Sequence, residues 1–147
     1  MNKYHSDGDK GFYINRRLLR EDALKICGLN GKLNREVFEY TNGTKVYFVN
    51  DEFHREDGPA VEFSSGAKVY FINGEFHRED GPAVEFPHGP KYYYINGKLH
   101  REDGPAVEFP CGTKYYYING EELTEESYKI KRRLKTRQEQ WMQKKFY

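Results

Sequence analysis

Short apolar and aromatic runs alternate with polar turn sequences along most of the chain. The run AVEF at 83–86 ends at the turn sequence PHG at 87–89, and the run YYYI at 92–95 ends at Asn96-Gly97. Short runs rich in Val, Ile, Phe and Tyr are typical of β-strands, and Asn-Gly between two such runs favours a tight hairpin turn. The pattern therefore predicts short antiparallel strands that follow one another along the chain.

These strands belong to a sequence repeat. The string HREDGPAVEF begins at His54, His77 and His100, a spacing of 23 residues each time. Units 50–72, 73–95 and 96–118 match throughout, 30–49 is a shortened copy, 8–22 is a partial copy, and 23–29 (ALKICGL) is an insert with the pattern of one helical turn. A lone hairpin is marginal in water, whereas stacked hairpins bury a continuous face. We predict a mainly β fold over residues 1–123, a tandem β-hairpin array in a single antiparallel meander sheet.

Each long strand carries one uniform and one variable set of positions. Successive strand residues point to opposite faces, so positions two apart share a face. The uniform set is Tyr47, Tyr70, Tyr93 and Tyr116 with Val49, Ile72, Ile95 and Ile118. We expect this uniform face to pack and the variable face to be free to specialise.

In the last two complete units the variable positions are tyrosines. They are Tyr92, Tyr94, Tyr115 and Tyr117. Tyrosine is enriched where interfaces bury large rigid side chains, and variable positions of a repeat scaffold commonly serve recognition. The four tyrosines are candidates for binding a protein partner. Cross-strand aromatic pairing, or cover by the C-terminal tail, is the alternative interpretation.

Residues 124–147 have the pattern of a basic C-terminal capping helix. Thr124 is a suitable N-cap, and Ile130, Leu134 and Trp141 lie at helical spacing on one side. Because the terminal units of repeat arrays need protection, we expect this apolar stripe to cover the end of the sheet.

Charge is divided unevenly along the chain. Residues 127–147 hold eight basic side chains and one acidic one, a formal charge of +7, so the rest carries −6 of the total of +1. Such asymmetry indicates either an anionic partner for the tail or docking of the tail on its own acidic body. The basic candidates for binding nucleic acid or an anionic membrane are Lys131, Arg132, Arg133, Lys135 and Arg137.

The residues that could perform catalysis or bind metal recur in equivalent positions. Equivalent histidines are expected roughly 9.6 Å apart, two strand spacings, which is too far to share one ion, so we predict no metal site. The carboxylate pair Glu79-Asp80 also recurs in each complete unit, which favours a structural role, and we predict no enzymatic activity and no cofactor. Cys27 and Cys111 stand alone, and the N-terminus lacks an apolar signal run, so a cytoplasmic location is expected.

The unit resembles a MORN repeat, a hairpin of similar length. The matching pieces are Lys-Tyr at 114–115, Asn-Gly-Lys at 96–98, His100 and Pro-Cys-Gly at 110–112, whereas a strand glycine is replaced by tyrosine and His-Gly-x-Gly by His-Arg-Glu-Asp-Gly-Pro-Ala. Divergent arrays of this type resemble those of large viruses, phages and some bacteria, which would place the chain in a host cytoplasm.

We expect a non-enzymatic protein–protein interaction scaffold that binds through the sheet face and the repeat turns. The resemblance to viral arrays implies its most concrete form, a small inhibitor or adaptor acting on a host or bacterial defence protein. The alternative function is binding of nucleic acid or an anionic phospholipid through the tail. A dimer formed through the N-terminal sheet edge is left open.

Overall fold

The structure, a computed structural model, describes residues 35–145. The predicted partial unit 8–22, the insert 23–29 and residues 30–34 of the shortened unit lie outside the described residues. The elements are β1 (Arg35–Glu39), β2 (Lys45–Val49), β3 (Glu52–Phe53), β4 (Val61–Glu62), β5 (Lys68–Val69), β6 (Phe71–Ile72), β7 (Glu75–Phe76), β8 (Val84–Glu85), β9 (Lys91–Tyr92), β10 (Tyr94–Ile95), β11 (Lys98–Leu99), β12 (Val107–Glu108), β13 (Lys114–Ile118), β14 (Glu121–Leu123) and α1 (Glu125–Lys145).

The strands form a long antiparallel meander followed by one helix, as the sequence predicts. The main sheet runs in the order β1-β2-β4-β5-β8-β9-β12-β13-β14, with β3 paired to β2. Each unit contributes one strand from its Ala-Val-Glu-Phe run and one from its Lys-aromatic run, and neighbouring units pair through these strands. Two further hairpins, β6/β7 and β10/β11, pair separately from the main sheet.

The Asn-Gly turns close the hairpins that join each complete unit to the segment that follows it. Asn73 and Gly74 have φ angles of 48° and 73°, and the turn closes the pair β6/β7. Positive φ at both central residues is the geometry of the tight hairpin turn that Asn-Gly favours. The same geometry recurs at Asn96-Gly97 and at Asn119-Gly120.

In units 50–72 and 73–95 the long strand is interrupted at its central tyrosine, Tyr70 or Tyr93. Tyr70 lies between β5 and β6, where its N–H donates to the Ala83 carbonyl (2.7 Å) and its carbonyl accepts from the His77 N–H (3.2 Å). The hairpin beyond Tyr70 is tied to the next one, since the Arg78 N–H donates to the Tyr94 carbonyl (3.1 Å). The main chain therefore links consecutive units on both sides of the interruption.

Valines and stacked aromatic rings form the core. Val46, Val61, Val69, Val84 and Val107 are fully buried. Beside them, consecutive rings stack with centroids 4.5–5.2 Å apart, and the row consists of Phe48, Phe53, Phe71, Phe76 and Tyr94. Offset aromatic pairs at such separations add stabilisation beyond the apolar area they bury. The row crosses unit boundaries, so each hairpin completes its neighbour's core.

The predicted assignment of the two strand faces is wrong, because the core uses the variable positions. Val69 and Phe71 are buried, whereas the uniform Tyr70 and Ile72 are only half-buried. The variable residues stay apolar or aromatic in every unit, and all of them except the half-buried Tyr115 are buried. Tyrosine recurs on the other face at Tyr47, Tyr70 and Tyr93 because an arginine of the following unit covers each of these rings, as Arg78 covers Tyr70.

Buried tyrosines make the fold sensitive to alkaline pH. Burial, with a hydrogen bond from its hydroxyl to Glu122, raises the pKa of Tyr117 to about 12 from its ordinary value of 10.0, and burial also raises the pKa of Tyr92. Because the folded-state pKa is raised, the stabilisation is fully present below pH 10 and is lost as pH rises to 12. We expect the free energy of unfolding, measured in urea, to fall across this window. Phenolate absorbance that titrates at ordinary pKa values while the fold stays equally stable would contradict this.

Helix α1 begins at the predicted N-cap but does not pack through the predicted stripe. The Thr124 hydroxyl oxygen accepts from the Ser127 N–H (3.1 Å), which satisfies one of the free donors of the first turn. We expected Ile130, Leu134 and Trp141 to be buried against the sheet, and this is wrong. Their exposed fractions are 50%, 59% and 59%, respectively. Among the described helix residues only Tyr128 is buried, and it lies on the opposite side.

Candidate functional site

The repeated turns enclose a row of similar clefts. One cleft of about 660 Å³ lies between the turns of consecutive units, and its lining includes Arg78, Asp80, Pro82, Tyr93 and Glu102. An equivalent cleft of about 640 Å³ lies one unit earlier. Each contains two guanidinium groups and four carboxylates. Carboxylates therefore outnumber guanidinium groups two to one in the lining of both clefts.

Arginine organises each turn. The Arg78 guanidinium lies 4.0 Å from the centroid of the Tyr70 ring, and its Nε donates to Asp80 (2.8 Å) while Nη1 donates to the Pro82 carbonyl (3.2 Å). A Cβ on Gly81 would stand 3.0 Å from the Arg78 Cζ, so glycine lets the arginine approach the main chain. Arg55 and Arg101 are held in the same way.

This geometry explains the repeated carboxylates. The hydrogen bond from Arg78 lowers the pKa of Asp80, and the equivalent arginines lower the pKa of Asp57 and Asp103. All three aspartates are thus held as charged acceptors of the same kind. Acid–base catalysis instead relies on two groups whose pKa values are pushed apart.

The histidines link each unit to the next. The Asn73 N–H donates to Nδ1 of His54 (3.1 Å), and the Asn96 N–H donates to Nδ1 of His77 (3.2 Å). Each histidine thereby caps the Asn-Gly turn of the following unit, in agreement with the structural role expected from the repeat. Within residues 35–145, no group of three or more His, Cys, Asp or Glu side chains is placed to hold a metal ion.

At the end of the array, α1 occupies the place that a further turn would take. Tyr47, Tyr70 and Tyr93 each carry the arginine found eight residues later, but the residue eight positions after Tyr116 is Thr124. The ring of Tyr128 packs on Tyr116 instead, with centroids 4.7 Å apart.

A hydrogen bond fixes this packing of the helix on the last unit. The Tyr128 hydroxyl donates to the Glu102 carbonyl (2.6 Å). One helix residue thus replaces the missing arginine and anchors the helix. The sequence pattern of the apolar stripe gave no sign of this anchor, but the missing arginine eight residues after Tyr116 is a signal that could have revealed it.

The helix divides the predicted basic residues into two groups. Lys135 pairs with Glu102 of the last turn, and Lys131 lies 3.9 Å from Glu121 of β14. Arg132, Arg133 and Arg137 have no carboxylate within ion-pairing distance in the described part of the chain. The tail therefore docks on the repeat array through two lysines. The positive charge of the three arginines is not paired with a carboxylate in the described part of the chain.

These arginines line a third cleft, of about 620 Å³, at the repeat-equivalent place beside α1. Its lining residues are Gly104, Pro105, Tyr116, Tyr128, Lys129, Arg132, Arg133, Thr136 and Arg137. Gly104, Pro105 and Tyr116 correspond to Gly81, Pro82 and Tyr93 of the preceding cleft, one repeat length of 23 residues earlier. Unlike the other two, this cleft has no carboxylate in its lining.

The apolar stripe (Ile130, Leu134 and Trp141) forms a second surface on the helix. Ile130 lies two residues after Tyr128, about 200° around the helix axis, so the stripe points away from the last unit. Nothing in the described part of the chain buries it. Arg133 and Arg137 border it, since at four-residue spacing they run beside Leu134 on the helix surface.

The four candidate tyrosines do not form an exposed patch. Tyr92, Tyr94 and Tyr117 are 4%, 7% and 8% exposed, and Tyr115 is half-buried. They are on one strand face, as the sequence predicts, but that face is the core. In this arrangement they support neighbouring hairpins and leave no ring face of the first three for a partner.

Comparison with known proteins gives no relative: no family model matches the chain, and no curated protein matches it at a significant level. The structure adds a finding about membranes. No helix within residues 35–145 combines the length and hydrophobicity that a bilayer span needs.

Proposed function

We propose that the chain is a non-enzymatic protein-binding module that presents the apolar stripe of helix α1 to a partner protein. The observation that carries the proposal is the exposure of Ile130, Leu134 and Trp141, half or more for each residue, on a helix anchored to a repeat array. A helix that lays apolar residues of one side into a groove is a recurrent mode of protein recognition. Tryptophan is also among the residues that most often dominate such interfaces.

Charge indicates what kind of groove would fit. Arg133 and Arg137 lie along one border of the stripe, and Lys131 and Lys144 lie near it on the same helix. A partner groove with an apolar floor and an acidic rim would match both features, because complementary charge favours association and suppresses wrong partners. The array would serve as the support that fixes the helix with its apolar stripe facing away from the last unit.

The tyrosine patch is not part of this proposal, because Tyr92, Tyr94 and Tyr117 are buried and Tyr115 is half-buried. A partner among host or bacterial defence proteins rests on the MORN-like resemblance alone and stays a prediction.

Changing the stripe should strongly weaken partner capture without unfolding the protein. We expect Leu134→Ser with Trp141→Ser to weaken binding by about 2 kcal/mol or more, roughly thirtyfold, because exposed anchors of this type carry most of an interface's energy. The measurement is quantitative recovery of partner proteins at physiological salt, on immobilised wild-type and variant chains, followed by calorimetric titration of the recovered protein.

The matched control is Gln140→Ser with Gln143→Ser, which changes two exposed residues of the same helix outside the stripe. It should bind as the wild type does. Equal recovery of the partner by the stripe variant, or no stoichiometric partner on the wild-type chain, would contradict the proposal. Circular dichroism should show unchanged helix and sheet content in both variants, since the altered residues are exposed.

A further inference from the structure

The cleft between α1 and the last turn is built differently from its repeat-equivalent neighbours. The three clefts are similar in volume, about 620, 660 and 640 Å³. In the earlier two, four carboxylates surround two guanidinium groups, whereas the last has four basic side chains and no carboxylate in its lining. Where a helix replaces the turn, a cleft rich in carboxylates has therefore become a strongly basic one.

The positive charge of this cleft is largely uncompensated. Lys129 is paired with Glu125 (2.8 Å). Asp103 is close enough for Arg132 to contribute to lowering its pKa, but its carboxylate is already bound by Arg101 (2.8 Å). Arg133 and Arg137 have no carboxylate within 4 Å in residues 35–145.

The floor of the cleft is apolar. Pro105 is buried in the last turn, and the packed rings of Tyr116 and Tyr128 lie beside it. The Tyr128 hydroxyl is committed to the Glu102 carbonyl, so this ring offers the cleft carbon surface rather than a polar group. An apolar floor with a few charged groups at its border is the usual construction of a small-ligand site, and the volume is in the usual range for one.

We infer that this cleft binds phosphate esters, with the phosphate on Arg132, Arg133 and Arg137 and the apolar part of the ligand on Pro105, Tyr116 and Tyr128. Guanidinium groups hold phosphate oxygens through paired, charge-assisted hydrogen bonds. The lysines elsewhere on the helix lack this planar arrangement of donors and attract phosphate only as point charges. A nucleotide and a phosphorylated lipid headgroup share this chemistry. The inference shares Arg133 and Arg137 with the border of the apolar stripe but uses none of the stripe residues Ile130, Leu134 and Trp141, so the stripe variant tests the proposed function separately.

The test titrates the full chain with two probes. One is ATP, followed by calorimetry, and the other is phosphatidylcholine vesicles with or without phosphatidylinositol phosphate, followed by co-sedimentation. Binding of ATP would identify a soluble ester as the ligand class, and binding of the phosphorylated vesicles alone would identify a lipid headgroup. Either result supports the site if the variants below behave as expected.

Arg133→Gln with Arg137→Gln should reduce affinity about a hundredfold or more, since the loss of each hydrogen bond from a charged group weakens binding by roughly tenfold or more. Thr136→Glu, which adds a carboxylate to the lining without removing a cation, should abolish binding as well. The matched control is Lys131→Gln with Lys144→Gln, which removes the same charge from α1 outside the cleft and should change affinity less than about threefold. The inference is overturned if neither probe binds, or if both double variants lose the same affinity.

Discussion

Replacing Phe71 with alanine is expected to lower the free energy of unfolding by about 3–5 kcal/mol, the cost of removing a buried phenyl ring and leaving a cavity. Phe71 has no exposed surface and is stacked between Phe53 (5.2 Å) and Phe76 (4.5 Å). Phe53 and Phe76 belong to two different units. The cavity would therefore remove contacts between neighbouring hairpins as well as contacts within one hairpin. The measurement is urea denaturation followed by circular dichroism.

Two variants make this result specific. Phe71→Leu keeps an apolar side chain but loses the stack, and it should cost less, about 1–2 kcal/mol. Ile72→Ala truncates the adjacent, half-buried residue of the face that the sequence assigned to packing, and it should cost about 1 kcal/mol. A larger loss for Ile72→Ala than for Phe71→Ala would mean that the core lies on the other face.

The features of the fold that depend on local sequence could be predicted. Asn73-Gly74 specifies its hairpin because few residues adopt positive φ at two consecutive positions, and Thr124 specifies a helix start because its side chain can accept from the first turn. The period of 23 residues then copies each local result along the array. Fold class, strand order and helix start follow from such signals alone.

The buried face could not be predicted from the strand pattern. Tyr70 and Phe71 are both aromatic, so alternation along this strand gives no contrast between polar and apolar positions. The deciding group is Arg78, eight residues later, which covers Tyr70 from outside and leaves Phe71 for the core. The prediction also assumed that positions with the same residue in every unit form the core. Here the tyrosine recurs because it pairs with a specific arginine.

The orientation of α1 escaped prediction for a related reason. Its spacing shows an apolar stripe, but spacing alone does not show which side of a helix meets the rest of the protein. The helix packs through the ring and the hydroxyl of Tyr128 and not through the three apolar residues on its other side. The reason is that no arginine covers the ring of Tyr116 at the end of the array, so Tyr128 can pack there. The basic cleft follows from this orientation, since it turns Arg132, Arg133 and Thr136 toward Pro105.

Replacing Arg78 with alanine is expected to lower the free energy of unfolding by about 2–3 kcal/mol. The change removes a guanidinium–ring contact, worth about 0.5–2 kcal/mol, and the donors to Asp80 and the Pro82 carbonyl. The ion pair itself contributes little, because the Asp80 side chain is 81% exposed. Arg78→Lys keeps the charge but not the planar fork, so it should recover less than half of the loss. Lys68→Ala, an exposed change nearby, should cost under about 0.5 kcal/mol.

An acid titration separates this role of Arg78 from ordinary surface packing. Arg78 lowers the folded-state pKa of Asp80 below 3.8, so the linked stabilisation is present above pH 3.8 and is lost as pH falls through the lowered value. In Arg78→Ala the Asp80 carboxyl loses its largest stabilising partner, and its pKa should return toward 3.8, as followed by NMR. Asp57 and Asp103 have their own arginines and should keep their lowered pKa values, which makes them internal controls. If the Asp80 pKa stays low in the alanine variant, the arginine is not what organises the turn.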